Sequence, residues 1–137
     1  MIIKENTKEK ITQPQKVVDL LNGAMSIEDE AGKDREHLYC LGLDTRNQLK
    51  YLELVGIGIQ NQALISPKEI LRNAVSRGVR GIIISHNHPS GNPIPSTEDL
   101  LVTRKLKEAC EVLGIILYDH VIFTEDSFHS MKDVGDL

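Results

Sequence analysis

Residues 81–99 read GIIISHNHPSGNPIPSTED, and this stretch decides the fold. It opens on Gly81, Ile82, Ile83, Ile84 and Ser85, a short β-branched run of the kind that forms a buried central strand. A loop stiffened by Pro89, Pro93 and Pro95 follows. It delivers Ser96, Thr97, Glu98 and Asp99, an N-cap pattern that starts a helix running to about residue 113, where Gly114 stops it. Strand, loop and helix in that order are the unit of an α/β sheet, whose ligand crevices open at the carboxyl ends of the strands.

Working outward, Thr12 as cap with Gln15 three residues on predicts a helix start, and Val17, Val18, Leu20, Leu21 and Met25 give that helix its buried stripe. The acidic stretch 27–36, with Glu28, Asp29, Glu30, Asp34 and Glu36, reads as a turn or short surface helix with a solvated face. Strands are expected over 37–43 and 49–59, paired as a hairpin through an Asx-rich turn. Ser66, Pro67 and Glu69 form a second helix-start signature, and Gly78 ends that helix. A strand over 115–123 and a short edge strand from residue 127 complete the chain. Residues 1–11 read as a flexible lead-in and 12–137 as one α/β domain built on a single mixed sheet.

The 137 residues leave room for one domain with a real core. No apolar run approaches the roughly 18 residues of a membrane helix, and the polar N-terminus is no secretory signal, so a cytoplasmic protein is expected. Cys40 and Cys110 lie far apart inside apolar segments, as buried free thiols do. A net charge of −4 gives no basic footprint for nucleic acid.

His86 and His88 stand one residue apart on an extended segment, so both can face one ion. Asp99 returns a carboxylate to the same place, and imidazole with carboxylate suits zinc, with iron or manganese also possible. Two plainer readings stay open: the histidines as surface-loop residues, and Ser96 with Asp99 as a helix cap. The cap is compatible with metal binding. Glu53, flanked by leucines on the strand face of Tyr51 and Val55, loses solvation unless a partner compensates. It is either edge-exposed or a general base beside a metal site. His120 reads as a satisfied core histidine with Asp119 as a structural neighbour, and His37 and His129 have no supporting constellation.

An upstream glutamate, then His-x-His-Pro, six intervening residues and Ser-x-x-Asp, resembles the JAMM/MPN (Mov34/JAB) metalloprotease-like domain. The stretch HNHPSGNPIPSTEDLLVTRKLKEACEVLGIILYDHVIF, with LGLDTRNQLKYLELVGIGIQNQALISPKEIL upstream, is similar to the bacterial RadC family from about residue 12 onward. The resemblance implies a cytidine-deaminase-like α/β sandwich of JAB/MPN type. It implies one zinc ion per chain held by His86, His88 and Asp99, with water as fourth ligand. Glu53 would be the general base and Ser96 a hydrogen-bond donor to the oxyanion. The implied reaction is hydrolysis of a peptide or isopeptide bond in a peptide or protein substrate, with activated water attacking the amide carbonyl. Full-length RadC proteins carry an N-terminal helix-hairpin-helix-like region, which is not expected here, nor is DNA recruitment through it.

Two other functions compete. A noncatalytic, DNA-repair-associated module of RadC type is weakened by the acidic composition. A zinc deaminase requires a Pro-Cys-x-x-Cys motif that this sequence lacks. The adjacent His-Asn-His is not a nuclease HNH motif, whose residues are dispersed.

Overall fold

The computed structural model describes residues 1–58 and 66–137. Its elements run β1 (Ile2–Glu5), α1 (Pro14–Met25), α2 (Glu30–Lys33), β2 (His37–Leu43), β3 (Leu49–Ile57), α3 (Pro67–Arg77), β4 (Gly81–Asn87), α4 (Thr97–Leu113), β5 (Ile116–Phe123) and β6 (Phe128–Ser130). The six strands form one mixed sheet in the order β1-β3-β2-β4-β5-β6. Among the described residues only β4 and β5 pair in parallel, and α4 is the crossover between them.

Helices cover both faces. On one side α1 lays Val17, Val18, Leu21 and Met25 against Tyr39, Leu41 and Ile83 of the central strands. On the other, Ile70, Leu71 and Ala74 of α3 join Leu106 and Cys110 of α4 over Leu38, Cys40, Ile82 and Ile84. The two-residue period of a strand therefore sorts β4: Ile82 and Ile84 face α3 and α4, Ile83 faces α1. Each such aliphatic side chain contributes roughly 1.5–3 kcal/mol on burial. Cys40 and Cys110 are both buried free thiols.

Several local expectations change in detail. Residues 2–5, expected as a flexible lead-in, form an edge strand antiparallel to β3. Arg77 of α3 ties that strand down, donating to Glu5 Oε2 at 2.7 Å while its guanidinium lies 5.5 Å from the Tyr51 ring centre. Helix α1 starts at Pro14 with extended Gln13 as its N-cap and no side-chain cap bond, so Thr12 does not cap it. Ser66 caps α3 by position only: the Glu69 N–H donates to the Ser66 carbonyl at 3.1 Å, and the Ser66 side chain makes no cap bond. The strand expected over 49–59 ends at Ile57, and residue 59 lies outside the described residues. Among the described residues no helix is long and apolar enough to cross a membrane.

Candidate metal centre

The site forms where β4 ends. Alternation carries the Ile82–Ile84 side of the strand on to His86, which is fully buried beneath α4. The His88 N–H donates to the Phe123 carbonyl at 2.9 Å, extending the parallel register one residue past the strand. The loop then turns at Gly91, whose φ of +88° is a left-handed conformation that a side chain disfavours. That turn brings the Asn92 carbonyl to 2.9 Å from His88 Nδ1.

Helix α4 supplies the third group. Ser96 Oγ accepts from the Asp99 N–H at 3.0 Å, and Asp99 Oδ2 accepts from the Ser96 N–H at 2.8 Å, a complete capping box. The cap and the site thus use the same carboxylate. Asp99 Oδ1 lies 3.4 Å from His86 Nε2, Asp99 Oδ2 lies 3.3 Å from His88 Nε2, and the two Nε2 atoms are 2.9 Å apart. These three side chains form a group able to hold a metal ion. The spacings match the edges of a small tetrahedron: ligands about 2.0 Å from zinc sit roughly 3.3 Å from one another.

The donor inventory makes the fit sharper. A carbonyl only accepts, so His88 Nδ1 carries its proton toward Asn92. His86 Nδ1 meets His120 Nε2 at 2.8 Å. With the His88 proton committed away from the cleft, its Nε2 lone pair aims at His86 Nε2 and at the Asp99 carboxylate. Such an arrangement suits a cation among them, a metal or a proton. The electrostatics agree. Burial pushes the His86 imidazole below its ordinary range, while the bond to Asp99 raises that of His88. Burial alone would raise Asp99, but the two imidazoles overcome it and hold the carboxyl well below the usual range.

One wall of the adjoining cleft, about 320 Å³, is made by Glu36 together with His88, Ser90, Ser96 and Asp99. Glu36 is half-buried at the start of β2, and that burial raises its carboxyl above the ordinary range, with His88 opposing and Asp99 adding to the shift. Asn87, between the two histidines, fixes this wall. Its Oδ1 accepts from the His37 N–H at 2.6 Å and its Nδ2 donates to the Arg35 carbonyl at 3.0 Å, one bond on each side of Glu36. His37 Nδ1 donates to the same carbonyl at 2.9 Å.

Of the residues expected from sequence, His86, His88, Ser96 and Asp99 come together, and Glu53 does not join them. Glu53 lies on β3 opposite Cys40, whereas His86 on β4 lies opposite Leu38, with β2 between the two strands. Its Oε2 accepts from Asn73 Nδ2 of α3 at 2.8 Å, and its Oε1 has no hydrogen-bond partner among the described residues. Glu53 is therefore a buried carboxylate held by α3. Glu36, expected on a solvated acidic face, instead lines the cleft; its position just before the fully buried β2 is the signal for it in the sequence. His120 is a buried core histidine as expected, and it also touches His86. Asp119 is structural: Oδ1 accepts from the His120 and Lys132 N–H groups and Oδ2 from Ser130 Oγ.

The chain matches the family model described as the RadC-like JAB domain over residues 11–136. It is 43% identical over 101 residues to a UPF0758 protein of Listeria monocytogenes, covering 74% of this chain and 45% of that protein. A UPF0758 protein of Aquifex aeolicus is 43% identical over 127 residues, covering 93% of this chain and 52% of its own length. One from Methanosarcina mazei is 38% identical over 131 residues, with 96% and 55% covered. The chain spans about half the length of these curated relatives. With the mixed sheet, the strand-end cleft and a match over nearly its whole length, the chain belongs to the RadC-like JAB domain family.

Proposed function

We propose that this domain is a zinc-dependent amide hydrolase, with one zinc ion per chain and a peptide or protein as substrate. One observation carries the reading: three groups able to act as ligands, His86, His88 and Asp99, converge within 2.9–3.4 Å while the His88 Nδ1 proton is committed to the Asn92 carbonyl. His86, His88 and Asp99 would hold the zinc ion, which when bound would supply Lewis-acid polarisation of a carbonyl and a water of pKa about 7.

The chain's own residues supply the rest. Glu36 stands on the cleft wall with a carboxyl raised by burial, which suits it to accept a proton and return it to a leaving amine. Ser96 Oγ spends a lone pair on the Asp99 N–H, so its O–H remains a donor for negative charge developing on a substrate oxygen. Asn87 holds Glu36 in register with the histidines that flank it.

The test is elemental analysis of protein purified without chelators, followed by peptide- and isopeptide-bond hydrolysis with and without a chelator. Stoichiometric zinc in wild type and Glu36→Gln, none in Asp99→Ala, and chelator-sensitive cleavage in wild type alone are the expected results. Metal-free wild type, or cleavage that survives both chelation and Asp99→Ala, would overturn the proposal.

A further inference from the structure

Behind His86 the hydrogen bonds continue, and their direction is fixed from the far end. Thr103 lies one helical turn after Asp99 on the buried face of α4, and its hydroxyl donates to the Asp99 carbonyl at 2.7 Å. A hydroxyl has one proton, so toward His120 Nδ1, 2.5 Å away, Thr103 Oγ1 can only accept. His120 Nδ1 therefore carries the proton. His120 is fully buried, and no carboxylate is among its side-chain bonding partners, so the ring stays neutral and Nε2 presents a lone pair. That lone pair can be satisfied only by a proton on His86 Nδ1, which leaves His86 Nε2 bare toward the cleft.

We infer that Thr103 and His120 are positioning residues that set the His86 tautomer, so that this chain presents Nε2 as a metal donor before any metal arrives. The inference deepens the metal reading above and rests on it. The geometry points beyond simple packing because each link is polar, buried and one-directional. Reversing any link would turn an N–H of His86 into the site and block one of the three donors. A neutral histidine without such a relay divides itself between two tautomers, and the wrong one cannot bind. Groups that orient a ligating histidine typically change metal affinity about 10- to 100-fold when removed.

Thr103→Val is the sharpest probe, because the side chain keeps its shape and lies two residues away from the metal through the relay. In ¹⁵N-labelled, metal-free protein at about pH 9, above ordinary imidazole titration, long-range ¹H–¹⁵N spectra report each ring's tautomer. Wild type is expected to show Nδ1–H on both His86 and His120. In Thr103→Val both shift toward Nε2–H, and zinc affinity by chelator competition falls about 10- to 100-fold. Thr103→Ser, which restores the hydroxyl, returns both readouts to wild type. An Nε2–H His120 in wild type, unchanged tautomers in Thr103→Val, or altered tautomers with unchanged zinc affinity would each overturn the relay. Wild-type protein that binds no zinc would sink the metal reading, and the tautomers alone would then still decide whether the relay sets His86.

Discussion

Glu36 and Glu53 begin from similar circumstances and end in different chemistry. Each is an acid at or within an apolar strand of the same hairpin, Glu36 just before β2 and Glu53 within β3. The sheet order separates them, because β2 borders β4 directly while β3 lies one strand farther out. Glu36 consequently shares a cleft with His88 and Asp99, and Glu53 faces Asn73 under α3. One carboxylate borders solvent beside the candidate metal ligands; the other is enclosed and held by an amide. The comparison teaches that an acid's role here follows from which strand neighbours the histidine loop, a property of register rather than of local composition.

The largest effect should separate the two acids directly. If Glu36 is the proton carrier, Glu36→Gln lowers the hydrolysis rate about 10²- to 10⁴-fold with zinc content retained. Glu53→Gln leaves the rate near wild type, since its side chain meets neither substrate cleft nor metal ligands. Steady-state kinetics on both variants would show it, and the reverse pattern would return the base to β3.

A second prediction attacks the device that puts Glu36 in place. Asn87→Ala removes both bonds that bracket Glu36, to the His37 N–H and the Arg35 carbonyl. Misplacement of a reacting group by about 1 Å can cost 10²-fold, so hydrolysis should fall by up to about that factor. Zinc should remain, because Asn87 is not among the converging ligands. Loss of zinc together with activity would mean that Asn87 organises the histidines and not the Glu36 wall.

The part of this site written into one continuous stretch was legible in the sequence. Strand, prolines, cap and His-x-His follow one another from residue 81 to 99, so alternation and capping rules place them without knowledge of the rest. The stops at Gly78 and Gly114, and the burial of both cysteines, are local in the same sense. What sequence pattern missed depends on pairing between distant segments. Strand β1 is short, exposed and at an edge, so its four residues carry no apolar alternation to read. Glu36 enters the site only through the β2–β4 register, and His120 reaches His86 only through the parallel β4–β5 register. The resemblance was carried over to the leucine-flanked Glu53, because the segment upstream of the histidine loop is less rigidly patterned than the loop itself.

A smaller effect, on stability, tests the other half of the comparison. Asn73→Ala leaves the Glu53 carboxylate buried without its amide donor, which should cost about 1–3 kcal/mol in chemical denaturation. Glu53→Gln keeps an acceptor for Asn73 and removes a buried charge, so its midpoint should stay close to wild type. If Asn73→Ala is instead silent, the carboxylate has water at hand and the region around β3 is more open than its burial implies.

The smallest expected signal comes from Cys40, the β2 residue directly opposite Glu53. Its thiol is fully buried, 3.6 Å from the Tyr51 hydroxyl, and burial pushes its pKa up to about 12. A raised thiol pKa makes thiolate scarcer at any given pH. At pH 8 about one molecule in 10⁴ would carry the reactive anion, against roughly a quarter for an ordinary thiol of pKa about 8.5. Native protein should therefore leave Cys40 unmodified by a disulfide-exchange reagent on a timescale where urea-unfolded protein reacts fully, and mass spectrometry of peptide fragments can read that site alone. Glu36→Gln should not change this protection, since Cys40 lies in the core under α3 and not in the Glu36 cleft, whereas Asn73→Ala should weaken it if α3 loosens over β3. Equal labelling of Cys40 in all three proteins would mean that α3 stays seated without the Glu53 bond, and that Glu53 is held by packing around it rather than by Asn73.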